Sequence, residues 1–223
     1  MYNEKLVELK KKIIEFASLI EAMIHNSVTG LLQRDLALLE GVIHDLEPRA
    51  NDSENEIDEM CTSLIAQFQP AAKDLRTILM VYRMNSDLER MGDHAVNIAE
   101  SAMFLIERPN VKPFIDLPKM NELVTKMVTD SITSFINEDV ALARSIGASD
   151  AAVDELKDKS SEELIECMVK DPETVERAMH LSRVLGNLER IADLSTNIGE
   201  DVAFMVAGLV TKHHKNEINP IAS

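Results

Sequence analysis

An internal repeat dominates this sequence. Arg83-x4-Leu88-Glu89-Arg90-Met91-x-Asp93-x3-Asn97-Ile98-x-Glu100 recurs one hundred residues later as Arg183-x4-Leu188-Glu189-Arg190-Ile191-x-Asp193-x3-Asn197-Ile198-x-Glu200. A shorter echo pairs Asp35-Leu36-Ala37-Leu38 with Asp139-Val140-Ala141-Leu142. Self-similarity at this density means one supersecondary unit built twice, each copy burying its apolar face partly against the other. Any fold assigned to the chain must therefore divide into two equivalent halves.

The local pattern within each copy is helical. Leu6, Leu9, Ile13, Phe16, Ile20, Met23 and Ile24 recur at three- and four-residue steps, as a helix burying one face requires. Gly30 is read as interrupting this helix, with Asp35 capping the next. Pro48 is expected to break or kink the second helix, and Pro70 to occupy the first turn of a third, running to about Glu107. Residues 108–118 hold Pro109, Pro113 and Pro118 and are read as a non-helical boundary. The pattern then restarts over Met120–Asn137 and Asp139–Met168, with a weak point at Gly147, and ends in a helix to about Val210. Only seven glycines and seven prolines in 223 residues leave few turns for a sandwich or barrel. The expected architecture is all-α: two consecutive three-helix bundles, residues 1–110 and 111–223, related by a pseudo-two-fold.

Charge narrows the function. With 39 acidic against 23 basic side chains the net charge is -16, which repels phosphate backbones and excludes nucleic acid as a partner. The longest uncharged stretch, Met60–Ala72, is too short for a membrane span, and no basic-then-apolar leader opens the chain, so a cytoplasmic location is expected. Cys61 and Cys167 stand far apart and both fall on apolar stripes, which argues for buried thiols and against a disulfide or zinc-thiolate site. No nucleophile elbow, P-loop or dinucleotide fingerprint occurs.

Within that acidity lies a pattern. Glu89, Asp93 and Asn97 share one helix face at i, i+4, i+8, with Glu100 one turn on; Glu189, Asp193, Asn197 and Glu200 repeat them. The preceding helix of each half offers a second pair at the same step, Glu54 with Asp58 and Asp150 with Asp154. Two unit charges about 4 Å apart repel by roughly 4 kcal/mol at an effective dielectric of 20. Arg90 and Arg190 offset this poorly, because one residue step turns a side chain about 100° away. Bound multivalent cations are the simplest remedy, and oxygen-only ligands favour hard ions. A carboxylate-bridged dimetal enzyme in a helical bundle is a rival reading, weakened because no Glu-x-x-His occurs. A metal-free interaction module with solvated acidic faces is another. His25, His44 and His180 each follow a Glu by four residues and read as surface pairs. His94 has Leu194 as its repeat partner and is left out of a symmetric site, while His213 and His214 are read with Lys212 as capping the last helix.

Gln69-Pro70-Ala71-Ala72-Lys73-Asp74-Leu75-Arg76, Asp87-Leu88-Glu89-Arg90-Met91-Gly92-Asp93-His94-Ala95, and Leu188-Glu189-Arg190-Ile191-Ala192-Asp193 resemble the PhoU family of phosphate-signalling proteins. Asn51-x2-Glu54-x2-Ile57-Asp58 extends the resemblance over nearly the whole chain. It implies multinuclear clusters of iron, zinc, manganese or magnesium on the four E/D-x-x-x-D pairs, with Asn97, Asn197, Glu100 and Glu200 as further ligands. It also implies a non-enzymatic negative regulator of the phosphate-starvation response. Such a regulator couples a phosphate ABC transporter to a sensor histidine kinase at the inner face of the membrane, often as a homodimer. The chain departs from the pattern at Asp171-Pro172-Glu173-Thr174, where the first half has Gln-Pro-Ala-Ala, and at Leu194, where the family often has His. Unequal metal binding by the two halves, or different surfaces presented to partners, is the expected consequence.

Overall fold

The computed structural model describes residues 2–114 and 116–207. Among the described residues there are helices and no strands. The order is α1 (Tyr2–Gln33), α2 (Leu36–Gly41), α3 (Glu47–Phe68), α4 (Ala72–Ile106), α5 (Asp116–Asn137), α6 (Val140–Lys170) and α7 (Val175–Ala207). A π turn, Val42–Leu46, joins α2 to α3, so the two act as one distorted helix. Each half is then a three-helix bundle, α1 with α2–α3 and α4, and α5 with α6 and α7. The expected architecture and its repeat are what the chain adopts.

The first two helices of each half are joined by the same device. Arg34 and Glu138 take left-handed backbone angles, φ 56° and 53°. The next amide reaches back to close the preceding helix, Asp35 N–H to the Gly30 carbonyl at 2.9 Å and Asp139 N–H to the Ser134 carbonyl at 2.9 Å. The same aspartates cap the next helix: Asp35 Oδ1 accepts from Ala37 and Leu38, and Asp139 Oδ1 from Ala141 and Leu142. One residue thus ends one helix and starts another, which is why the Asp-x-Ala-Leu echo survives in both copies.

Three expectations about helix limits change. Gly30 does not interrupt α1, which runs on to Gln33; a Cβ there would lie 2.5 Å from Leu39 Cδ2, so the glycine admits close packing of α2. Pro48 distorts its helix, as expected, without ending it: it sits in the first turn of α3, and the π turn before it absorbs the missing N–H and the bulk of the ring. Pro70 lies just outside α4, whose N-cap is Ala71, because Gln69 at φ 46° has already ended α3. Pro118, placed in the linker by sequence, falls inside the first turn of α5, where a proline costs no hydrogen bond. α6 passes through Gly147 without a break. Val210, Lys212, His213 and His214 lie outside the described residues.

α4 and α7 run antiparallel through the centre, each against its own bundle and against the other. Arg83 faces Asp201, His94 faces Asn187 and Phe104 stacks on His180. That register puts the pseudo-two-fold near Gly92 and Ala192. One apolar cluster runs through both halves, from Phe16, Ile20 and Leu88 to Leu188, Ile191 and Val128. Surface contacts tie the bundles further: Thr129 donates to Glu21 at 2.8 Å, and Lys73 pairs with Glu138 at 2.8 Å. Among the described residues, no helix is long and apolar enough to cross a membrane. Cys61 is buried, and burial first, then Asp58, pushes its thiol up to about 12, so it is inert. Cys167 is only partly buried, contrary to expectation, because it lies toward the edge of the stripe on α6.

Candidate metal centres and the seam between the repeats

The four carboxylate pairs face one another two by two. α3 presents Glu54 and Asp58 toward Glu89 and Asp93 on α4. Burial, then Asp58 and Asp93, raises the Glu54 carboxyl above the ordinary carboxylate range. Burial, then Asp93 and Glu54, does the same to Glu89 against the opposing pull of Arg90. In the second half burial comes first again: Asp193, Asp154 and Glu189 raise Asp150, and Glu189 and Asp154 raise Asp193 against Lys157 and Arg190. In each half, carboxylates on one helix thus act on carboxyls of the other, which places the two acidic pairs on facing sides of the helix pair.

The donor chemistry fits a hard cation. Every donor is an oxygen, the set is self-repelling, and Asp150 Oδ1 is buried without a hydrogen-bond partner. As placed, the side chains face each other without closing on a point: among the described residues no three His, Cys, Asp or Glu groups converge tightly enough to hold an ion. Asn97 and Asn197 line a groove of about 630 Å³ between α4 and α7, which Asp93 and Asp193 reach from the quartets and which Arg90, Arg190 and His94 also line. Glu100 and Glu200 are solvent-exposed on the same helices.

Two residues that the repeat pattern passed over shape these centres. Asn85, 0% exposed, donates through Nδ2 to the Glu54 carbonyl at 2.9 Å and to Asp58 Oδ1 at 2.8 Å, which fixes Asp58 and ties α3 to α4. Its repeat partner is Leu185, so the comparison of halves discards it; a lone polar residue on the Val81–Met84–Leu88 stripe was the available signal. Lys157 Nζ lies 3.4 Å from Glu189 Oε1 and supplies the second half with a positive charge of its own. Position 61, which stands where Lys157 does in the other copy, is the buried Cys61. The two centres are therefore chemically unequal.

His94 belongs to the seam. The Asn187 amide donates through Nδ2 to the Arg183 carbonyl at 2.7 Å, so its Oδ1 must accept from His94 Nδ1 at 2.8 Å. Burial first, and then the nearby Arg190 and Arg90, favours the neutral ring despite that hydrogen bond. Of the three histidines read as partners of a Glu, His180 instead stacks on Phe104, 3.9 Å between ring centroids, with the Arg108 guanidinium 3.6 Å over Phe104.

The raised carboxyls make a pH prediction. A carboxyl whose pKa is raised by folding holds its proton more tightly in the native chain, so its contribution to stability grows as pH falls through the folded value and is lost above it. Asp150→Asn, measured in EDTA by urea unfolding, should stabilise the protein at about pH 7, and that advantage should shrink toward about pH 4. An advantage of equal size at both pH values would mean that Asp150 is not strained by its neighbours.

A repeat-built all-α protein with facing carboxylate quartets, one per half, is the class that this fold and these sites define. The PhoU domain matches residues 13–102 and again 117–202, and the chain belongs to the PhoU family. It is 40% identical over 210 residues to the phosphate-specific transport system accessory protein PhoU homolog of Aquifex aeolicus, covering 94% of this chain and 95% of that protein. It is 32% identical to the homolog of the same name from Pseudomonas putida, covering 95% and 83%. The crystal structure of PhoU from Pseudomonas aeruginosa superposes with a TM-score of 0.90 at 31% identity, over 93% of this chain and 100% of that one. The phosphate transport system regulatory protein PhoU from Streptococcus pneumoniae does so at 0.87 and 27%, over 95% and 100%.

Proposed function

We propose that this chain is a cation-binding regulatory adaptor of phosphate uptake. It damps the phosphate-starvation response by coupling a phosphate transporter to a sensor histidine kinase. The single observation that carries the cation-binding part is the pair of facing quartets, Glu54, Asp58, Glu89, Asp93 and Asp150, Asp154, Glu189, Asp193, in which burial and then the neighbouring carboxylates raise the pKa of Glu54, Glu89, Asp150 and Asp193. The regulatory part rests on relatives named as accessory proteins of phosphate-specific transport over almost their whole length. Iron, manganese, magnesium and zinc are the candidate ions, and the protein works as a cytoplasmic homodimer, peripheral at the inner face of the membrane. Its chemistry is read as binding rather than catalysis because the relatives are named as accessory proteins of a transport system.

Cations also reconcile the charge with that location. The quartets account for eight of the negative charges in a chain of net -16. Neutralising them removes much of the repulsion from an anionic leaflet or an acidic partner. Deleting the gene should derepress phosphate-uptake genes in phosphate-rich medium, read as transcript level. An unchanged phosphate response would overturn the regulatory reading while leaving cation binding to be decided by the melting experiment described in the Discussion.

A further inference from the structure

The seam between α4 and α7 has two ends that the pseudo-two-fold should make alike, and they are not. At one end Arg83 Nη1 is 2.9 Å from Asp201 Oδ1, a carboxylate that is 4% exposed, and Asp87 follows Arg83 one turn on. The antiparallel register that sets Arg83 against Asp201 sets Arg183 against Ser101, and the residue one turn beyond Arg183 is Asn187. Both carboxylates around the arginine have thus become neutral. Asn187 is also spent, donating to the Arg183 carbonyl and accepting from His94. Among the described residues Arg183 makes no ion pair.

The same end collects more donors. His180, one turn before Arg183, has its Nδ1 buried with no hydrogen-bond partner. Burial first, then Arg183 and more weakly Arg108, favours its neutral ring, opposed by Glu176 one turn earlier on α7. Arg108 is held in place by its Nη1 bond to the Phe104 carbonyl at 2.8 Å and by its stacking on the Phe104 ring. By that register, and with His180 stacked on Phe104 one turn along from Ser101, an arginine without an ion pair among the described residues, the buried Ser101 and an orphaned imidazole nitrogen fall at the end of the seam equivalent to the one that holds a carboxylate.

We propose that Arg183, Ser101 and His180 form a site for a free oxyanion, inorganic phosphate or sulfate, which occupies the place that the Asp201 carboxylate fills at the opposite end. Guanidinium and hydroxyl donors match the oxygens of a tetrahedral anion, and the molecule's own symmetry supplies the template. The bound anion bridges α4 to α7 as the Arg83–Asp201 pair does, and so stiffens the junction between the two halves. This site shares no residue with the carboxylate quartets.

The test is calorimetric titration of phosphate, and separately of sulfate, into the full chain at constant ionic strength with EDTA present, so that no metal ion on the quartets can act as receptor. One anion per chain is expected for at least one of the two. Arg183→Ala, at an exposed position that leaves the core intact, should weaken binding about tenfold or more. Ser101→Asp rebuilds the internal ion pair, so it should abolish anion binding and raise the melting temperature in anion-free buffer. Failure of both anions to bind, or an Arg183→Ala affinity equal to that of the unmodified chain, would overturn the site. Ser101→Asp binding phosphate as before would do so too.

Discussion

Metal-free protein, prepared with EDTA and melted with and without added manganese, should gain on the order of 10–20 °C in melting temperature when the ion saturates both quartets. A ligand at one hundred times its dissociation constant adds about 2.7 kcal/mol to native stability, so two independent centres add about 5. Each kcal/mol moves the melting temperature of a domain of this size by roughly 2–4 °C. Gain of that order is expected because the apo protein holds Glu54, Glu89, Asp150 and Asp193 at raised pKa values, a mutual repulsion that a cation converts to attraction. Asp93→Ala and Asp193→Ala should each remove about half of the shift and half of the metal found by elemental analysis. Lys157→Met should strengthen binding in the second half, since Lys157 competes with the ion for Glu189. A melting temperature indifferent to manganese, magnesium, zinc and iron would sink the cation reading, leaving the acidic faces as solvated surface.

Gly199→Val is the substitution expected to cost most in stability. A Cβ at Gly199 would stand 2.7 Å from the Ala143 carbonyl oxygen and 3.1 Å from Ile146 Cδ1. The first contact is with the backbone of α6, which cannot swing aside as a side chain can. α6 and α7 must then separate, and overpacking of that kind costs about 3 kcal/mol, enough to lower the melting temperature by roughly 6–12 °C. Gly92→Ala should be much milder, because its Cβ would meet Ile20 Cδ1 at 3.1 Å, the movable end of a side chain. Gly186→Ala, with nothing within 4 Å, should gain up to about 1 kcal/mol from helix propensity alone. Urea unfolding of the three variants measures the order; Gly199→Val at unmodified stability would show that α6 and α7 do not approach as closely as described. Ala99, the residue equivalent to Gly199, shows that the first half leaves room for a methyl group where the second does not.

These outcomes turn on features of unequal legibility. The helices, their repeat and their shared Asp35 and Asp139 caps are written in local spacing, because a helix enforces its own period and a cap acts within three residues. The misjudged limits at Gly30, Pro70 and Pro118 have a common cause. Glycine and proline change meaning with the residue they pack against or the turn they fall in, and spacing carries neither. Asn85, Lys157 and the Arg83–Asp201 pair were invisible for another reason. Each exists in one copy only, and a reading built on the repeat favours what both copies share.

By itself the sequence determined that two like three-helix units exist and that each carries paired carboxylates on helix faces, since periodicity alone dictates which residues share a face. It could not decide which faces meet. The tertiary structure set Glu54 and Asp58 against Glu89 and Asp93 and aligned α4 antiparallel to α7, in a register that pairs Arg83 with Asp201 and leaves Ser101 at the equivalent position opposite Arg183. Contacts between helices depend on packing angle and register, which arise only when the apolar stripes are buried together.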